Sequence, residues 1–209
     1  MTISQRFGRL MTSDAVASGV QSHLQEWLVP FLAEVERQLG LAARSIAQPA
    51  SWEIVSSFNK FDGSRLPSVV IAVDEIKGEP MRNGDASYDA IYPVAVAVVV
   101  GGRTPQETER NAMAYGAAVR GAMLYIFDHQ QDLGAVGVKW AGETYTEVDA
   151  TDRRTKGAAM ILFDVRVENV ARDYRGAVLG IVPPVEPYAA PEDWHTADTV
   201  ATDLEKVSP

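Results

Sequence analysis

The side chains able to do chemistry are few and scattered. His23, His129 and His195 are the histidines of this 209-residue chain. None has a second histidine three or four residues away, the spacing that presents two ligands from one helix to a metal ion. His129 falls where a helix should end, a place the helix dipole favours for a positive ring. The chain has no cysteine. That excludes disulfides, thiolate zinc sites and sulfur nucleophiles, and it fits a reducing compartment. No Gly-x-Ser-x-Gly elbow and no Walker loop occurs. Gly101-Gly102-Arg103-Thr104 comes nearest to a phosphate loop, with a strand, a glycine turn and a helix start. The known fingerprints need further glycines at fixed offsets, and Pro105 removes a backbone donor, so the stretch reads as a structural turn. Glu147, Asp149 and Asp152 gather negative charge, but a calcium loop needs more oxygens and a central glycine. Arg153, Arg154 and Lys156 follow them, either touching DNA or an acidic partner or forming a solvated hairpin tip. No catalytic, cofactor-binding or metal-binding residue and no cofactor is expected.

Composition points the same way. Asp and Glu number 28 against 19 Lys and Arg, giving a net charge of −9. An acidic chain repels the phosphate backbone, which proteins bind mainly through Lys and Arg. Nonspecific DNA binding is disfavoured, while an acidic wall that DNA slides past fits well. Apolar residues make up 46% of the chain, enough to fill a core. Residues 1–10 lack the apolar core of a signal peptide. The longest apolar run, residues 90–100, is too short and too β-branched to span a bilayer as a helix. The chain reads as cytoplasmic or particle-associated, with no membrane partner.

The elements that would position any site follow from periodicity. Thr12-Ser13-Asp14 starts a helix. Val16, Val20, Leu24, Trp27, Leu28, Phe31, Val35 and Leu39 then recur at spacings of three and four along one face. Gly40 ends it, and Pro30 predicts a kink or a break inside it. Residues 51–58 read as a modest strand and 67–76 as a stronger one. Residues 77–87 form a polar loop too long for an ordinary hairpin, so they predict a projecting loop with Arg82, Asn83 and Asp85 as interface candidates. Residues 88–100 are apolar on both faces, which predicts cover on both: helices on one, a second layer of the chain or another subunit on the other. Pro93 is expected near the start of that strand or on an edge. Gly101-Gly102 is expected to break it.

Thr104 then caps a helix, Pro105 takes its first position and Glu107 closes a capping box. The helix is expected to run to about residue 130. Its apolar side is Ala112, Met113, Gly116, Val119, Met123, Ile126 and Phe127. Gly116 and Gly121 each cost about 1 kcal/mol against Ala, which suggests that close approach matters. Gly116 is a further interface candidate. Residues 135–148 and 157–170 alternate and predict a long antiparallel hairpin joined by residues 149–156. Val136, Val138, Trp140, Thr144 and Val148 share one face of the first strand, with Lys139, Glu143 and Glu147 opposite. Ile161, Phe163, Val165 and Val167 share one face of the second, with Asp164, Arg166 and Glu168 opposite.

After residue 170 prolines forbid regular structure, yet Ile181, Val182, Tyr188 and Trp194 are apolar interface candidates. This segment is either an arm docked on its own subunit or a neighbour, or a loose tail beyond about Pro183. The organisation is thus an N-terminal segment at 1–12, a domain at 13–170 and a C-terminal arm at 171–209. The fold class is α+β: a mixed, mainly antiparallel sheet of four to five strands packed by two helices.

This order of elements resembles the tail terminator (tail completion) proteins of long-tailed bacteriophages. The strand at 88–100, its Gly101-Gly102 exit, the helix from Thr104 and the strand at 157–170 carry the resemblance, which covers residues 14–170 by element order and texture. The arm is longer than that family leads one to expect. The resemblance implies a homo-oligomeric ring, six subunits being usual, at the head-proximal end of the tail tube. It implies tail tube protein and a neck or head-closure protein as partners, with DNA only passing through the lumen. It places the protein at the tail–neck junction of the virion, after assembly in the host cytoplasm, and implies no catalysis. Another head–tail connector component, such as a head-closure or minor tail protein, stays open, as does a ligand-binding module unrelated to phage.

Overall fold

The computed structural model describes residues 11–56, 65–126, 135–148 and 155–172. The arm candidates Ile181, Val182, Tyr188 and Trp194 lie outside these residues, as do Arg153 and Arg154. The first helix, α1, spans Ser13–Gln38. Thr12 caps it, its hydroxyl oxygen accepting from the Ala15 N–H at 3.2 Å. Val16, Val20, Leu24, Leu28 and Leu32 are buried along one stripe. No break occurs at Pro30. Its ring lies on the exposed side, and Leu28 and Leu32 on either flank are both anchored in the core.

Five strands form the main sheet: β1 (Ser51–Ile54), β2 (Ser68–Val73), β4 (Ser87–Gly102), β5 (Ala135–Val148) and β6 (Thr155–Arg172). Their spatial order is β1-β2-β4-β6-β5. A sixth strand, β3 (Met81–Arg82), pairs with the start of β4. The class is α+β and mixed, with β1 parallel to β2 and every other pair antiparallel. The count is six strands rather than four to five. The difference is β3, two residues inside the expected projecting loop. That loop is fastened along β4: Met81 pairs with Asp89, and the Lys77 N–H donates to the Ile91 carbonyl at 2.8 Å.

Both helices cover one face of the sheet. Val69 and Ile71 of β2, Val94, Val96 and Val98 of β4, and Ile161, Phe163 and Val165 of β6 are buried there in one core with α1 and the second helix. Val70, Ala97 and Val99 are buried on the opposite face. Pro93 sits inside β4, not at its start. Its carbonyl accepts from Asp74, the residue just beyond β2, at 3.0 Å. In an antiparallel ladder a residue's N and O face the same side. The missing donor of Pro93 therefore falls where β2 has ended, as on an edge. Gly101 and Gly102 do not break β4; they pair with Lys156 and Thr155. β6 extends that far and continues the ladder.

The hairpin of β5 and β6 is as long as the alternation indicates, but the faces of β5 switch. Register shifts between Trp140 and Gly142 insert one residue. Trp140 pairs with Phe163, Glu143 with Ile161 and Tyr145 with Ala159, all partners on the helix face. Glu143 thus joins Trp140, and Thr144 turns away, the reverse of a constant two-residue period.

The second helix, α2, spans Pro105–Ile126, and its expected continuation to residue 130 falls outside the described residues. The Glu107 N–H donates to the Thr104 hydroxyl at 3.1 Å, and Glu107 accepts from the Arg103 N–H at 2.9 Å. α2 turns Ala112, Tyr115, Val119 and Met123 inward, leaving Met113, expected on the apolar side, 46% exposed. A Cβ on Gly121 would meet Phe31 Cδ1 of α1 at 2.7 Å, and one on Gly116 would meet the Tyr145 hydroxyl at 2.6 Å. The close approach made by Gly116 is therefore intramolecular, against β5.

Two predictions follow from this packing. Gly116→Leu forces Tyr145 and Glu143 off α2 and should destabilise the chain by about 2 kcal/mol, read as a lower urea midpoint. The second concerns His23, fully buried, whose Nε2 donates to the Ala122 carbonyl at 3.0 Å. Burial holds its imidazole below the ordinary value, against smaller upward pulls from that carbonyl and Glu26. The unfolded ring takes a proton more readily than the folded one. This contribution is complete above the unfolded value of about 6.5 and is lost as pH falls below it, by at most about 1.4 kcal/mol per pH unit. His23→Gln, which keeps a donor toward Ala122, should flatten that slope in denaturation curves taken between about pH 7.5 and 5.5.

Candidate assembly surface

A buried carboxylate organises one end of the sheet. Asp89 is 1% exposed. It accepts from Asn83 Nδ2 at 2.8 Å, from an Arg166 Nη at 2.8 Å and from the Asn169 N–H at 3.2 Å. The β4–β6 register shifts here, from Tyr88 opposite Ala171 to Ala90 opposite Val167. β6 thus bulges around Asp89, with Asn169 at a φ of 56°, and the carboxylate takes up an N–H that the bulge releases from the ladder. Burial alone would raise the Asp89 carboxyl, but the bonds from Arg166, Asn83 and Asn169 outweigh it and hold the group below its usual range. The same network secures the 83–87 turn. Asp85 accepts from the Ser87 hydroxyl at 2.6 Å, and the Asn83 N–H donates to the Ser87 carbonyl at 2.8 Å.

A second cluster joins α2 to β5. Arg120 and the Tyr145 hydroxyl both donate to Glu143. The Arg120 guanidinium also lies 4.9 Å from the centre of the Trp140 ring. Burial and the bond to Glu143 push the Tyr145 hydroxyl up to about 12. It stays protonated and donating across the physiological range.

The face away from the helices carries the surface best suited to a partner. A groove of about 690 Å³ is lined by Ala72, Pro93, Ala95 and Leu162, with Lys77 and Asp164 at its rim. Those two rim charges pair at 2.7 Å. Leu162 is 37% exposed. Beside the groove runs β5, last in the strand order, so its outer edge has no strand partner among the described residues. β1, at the other edge, has four residues against fourteen in β5. A long open edge presents a row of N–H and C=O groups that can pair with another chain.

No family model matches the chain. No curated protein matches it either. Among solved structures, a chain from the virion of a native gene transfer agent (GTA) particle is similar with a TM-score of 0.42 and 18% identity. The match covers 64% of this chain and 91% of that one.

The structure brings some of the expected interface residues together and separates others. Asn83 and Asp85 belong to the network around Asp89 and the turn it secures. Arg82 lies beside them, exposed, pairing with Tyr88 through the backbone. Gly116 is buried under β5. Lys156 pairs with Gly101 on one side and Val148 on the other, inside the sheet. Sequence reasoning missed Asp89, Glu143 and Leu162. Leu162 breaks the polar run of Asp164, Arg166 and Glu168 on its face, and that apolar residue in a polar register was the available signal.

Asp89→Asn keeps the size of the side chain but removes its charge toward Arg166. The variant should lose about 2–3 kcal/mol. Hydrogen exchange at Asn83, Ser87 and Asn169 should speed up while α1 stays protected.

Proposed function

We propose that this chain is a structural virion protein that assembles as a ring at the head-proximal end of a phage tail tube. In this reading it ends tube polymerisation and joins tail to neck, and DNA passes through the lumen without being bound. It performs no catalysis and needs no cofactor. The observation that carries the reading is one long edge, β5, without a strand partner among the described residues, next to an apolar groove on the face turned away from α1 and α2. Two adjacent, unlike surfaces favour head-to-tail contact between copies. Such a heterologous contact closes into a ring when its rotation permits. The net charge of −9 suits a wall past which DNA moves. The element order resembling tail terminators points to the same end of the tube. Among the described residues no helix is long and apolar enough to cross a membrane.

A second reading has one observation in its favour. The segment at 171–209 is longer than tail terminators lead one to expect, which favours another head–tail connector component such as a head-closure protein.

Native mass measurement of the full chain over a concentration series tests assembly, and a density map of the particle tests position. A closed oligomer, six-membered on the family resemblance, capping purified tail tubes is expected. Leu162→Glu should keep the wild-type melting curve and lose the oligomer. A monomer at every concentration with no affinity for tubes overturns both readings. A subunit placed next to the portal, away from the tube, selects the second.

A further inference from the structure

A cleft of about 510 Å³ opens at the other end of β4, between the first turns of α2 and the segments around Ala47 and Pro67. Its walls are fixed. The Tyr115 hydroxyl donates to the Ala47 carbonyl at 2.5 Å. Ile46 beside it donates its N–H to Glu36 at 2.7 Å, and Glu36 also accepts from the Arg44 N–H at 2.9 Å. A Cβ on Gly102 would meet the Thr108 N at 2.7 Å, so α2 sits directly on the strand end.

Three features of this cleft lack partners. Asn111 lines it, is only 8% exposed, and its Oδ1 is buried with no hydrogen-bond partner. A buried amide oxygen left unsatisfied is unfavourable, so the site is poised to accept a donor. Arg103 lines the mouth with its side chain exposed and in no ion pair among the described residues. The β2–β4 ladder stops at Ser68 opposite Val99. Gly101, two residues on, turns its N–H and C=O to the same side as Val99. There the register brings Leu66 opposite, and no backbone bond joins it to Gly101.

A phosphate does not suit these groups. The Glu107 carboxylate lines the cleft and already takes the Arg103 N–H, so a phosphate dianion meets more repulsion there than a single carboxylate does. A peptide group suits them: its N–H can reach Asn111 Oδ1, and its own N–H and C=O can continue the ladder at Gly101. We propose that this cleft binds an extended segment of another polypeptide that carries an Asp or Glu side chain. The main chain adds to the β4 edge beyond the end of β2, one of its amides satisfies Asn111, and the carboxylate pairs with the Arg103 guanidinium. The site is separate from the groove and the β5 edge invoked for self-assembly, so it stands or falls independently of the ring.

A displayed library of random linear heptapeptides panned on the immobilised full chain tests the proposal. The enriched sequences should share an Asp or Glu. Acetylated, amidated copies should shift the backbone resonances of Gly101 and Gly102 and the side-chain amide of Asn111. Arg103→Glu, on an exposed side chain, should weaken binding about tenfold or more with an unchanged melting curve. Asn111→Leu should do the same if it folds. The proposal is overturned by failure to enrich any sequence, or by enriched peptides without an acidic residue. Equal affinity for wild type and Arg103→Glu also overturns it. So does Arg103-dependent binding of inorganic phosphate in place of peptide, which would make the cleft an anion site.

Discussion

The pairing of β4 with β6 is the interaction on which the rest of the molecule depends. These are the two longest strands, and they are neighbours in the middle of the sheet although some fifty residues separate the end of β4 from the start of β6 in sequence. Their helix-facing rows of Val, Ile and Phe form the floor on which both helices rest. β2 and β5 only extend that floor outward. α2 bridges the two strands in sequence as well as in space, since it leaves the end of β4 and leads through β5 into β6. The Thr104–Glu107 cap sets its starting direction at the same place where Thr108 presses on Gly102. Registration of β4 on β6 is fixed at the far end by Asp89, whose bonds to Arg166 and Asn169 hold only in one alignment. A slip of one residue would turn every valine of β4 to the wrong face.

Polar groups in the core serve this alignment. Asp89, Glu36 and His23 are each buried, and each ties together segments that hydrophobic burial alone would leave free to slide. Glu36 gathers the backbone N–H groups that follow α1, and so places Ile46 and Ala47. His23 reaches the Ala122 carbonyl and fixes the two helices in height. Burial of a carboxylate is unfavourable in itself. At Glu36, as at Asp89, the hydrogen bonds outweigh it and hold the carboxyl below its usual range. Such groups select one packing arrangement among many of similar apolar content.

What the sequence discloses and what it hides divide along the range of the interactions. The cap of α2 was legible because Thr104, Pro105 and Glu107 act on one another within a single turn. The stripe of α1 and the two-sided apolar character of β4 were legible because repetition along the chain reports them. Gly101-Gly102 was misread as a stop, since glycine at a strand end ordinarily loses the ladder, and here β6 supplies it. Pro30 leaves the helix unbroken, with Leu28 and Leu32 on either flank held in the core. The Asp89 network was invisible: Arg166 and Asn169 stand 77 and 80 residues away. Asn83 and Asp85 read as loop residues, and their part in holding the turn beside Asp89 could not be seen. The open groove at Leu162 could be seen only as an apolar residue out of place.

The inserted residue between Trp140 and Gly142 gives β5 a phase as well as a length. From Val138 to Trp140 the even positions pair with the helix-facing residues of β6; from Glu143 onward the odd positions do. Removing one residue there would not shorten the strand so much as rotate its second half, turning Glu143 and Tyr145 outward from α2 and bringing Thr144 in. An insertion elsewhere in the strand would do the same to whatever follows it. β5 should therefore accept point changes more readily than changes of length, and related chains that preserve this surface should keep the spacing from Trp140 to Tyr145 even where the residues between them differ.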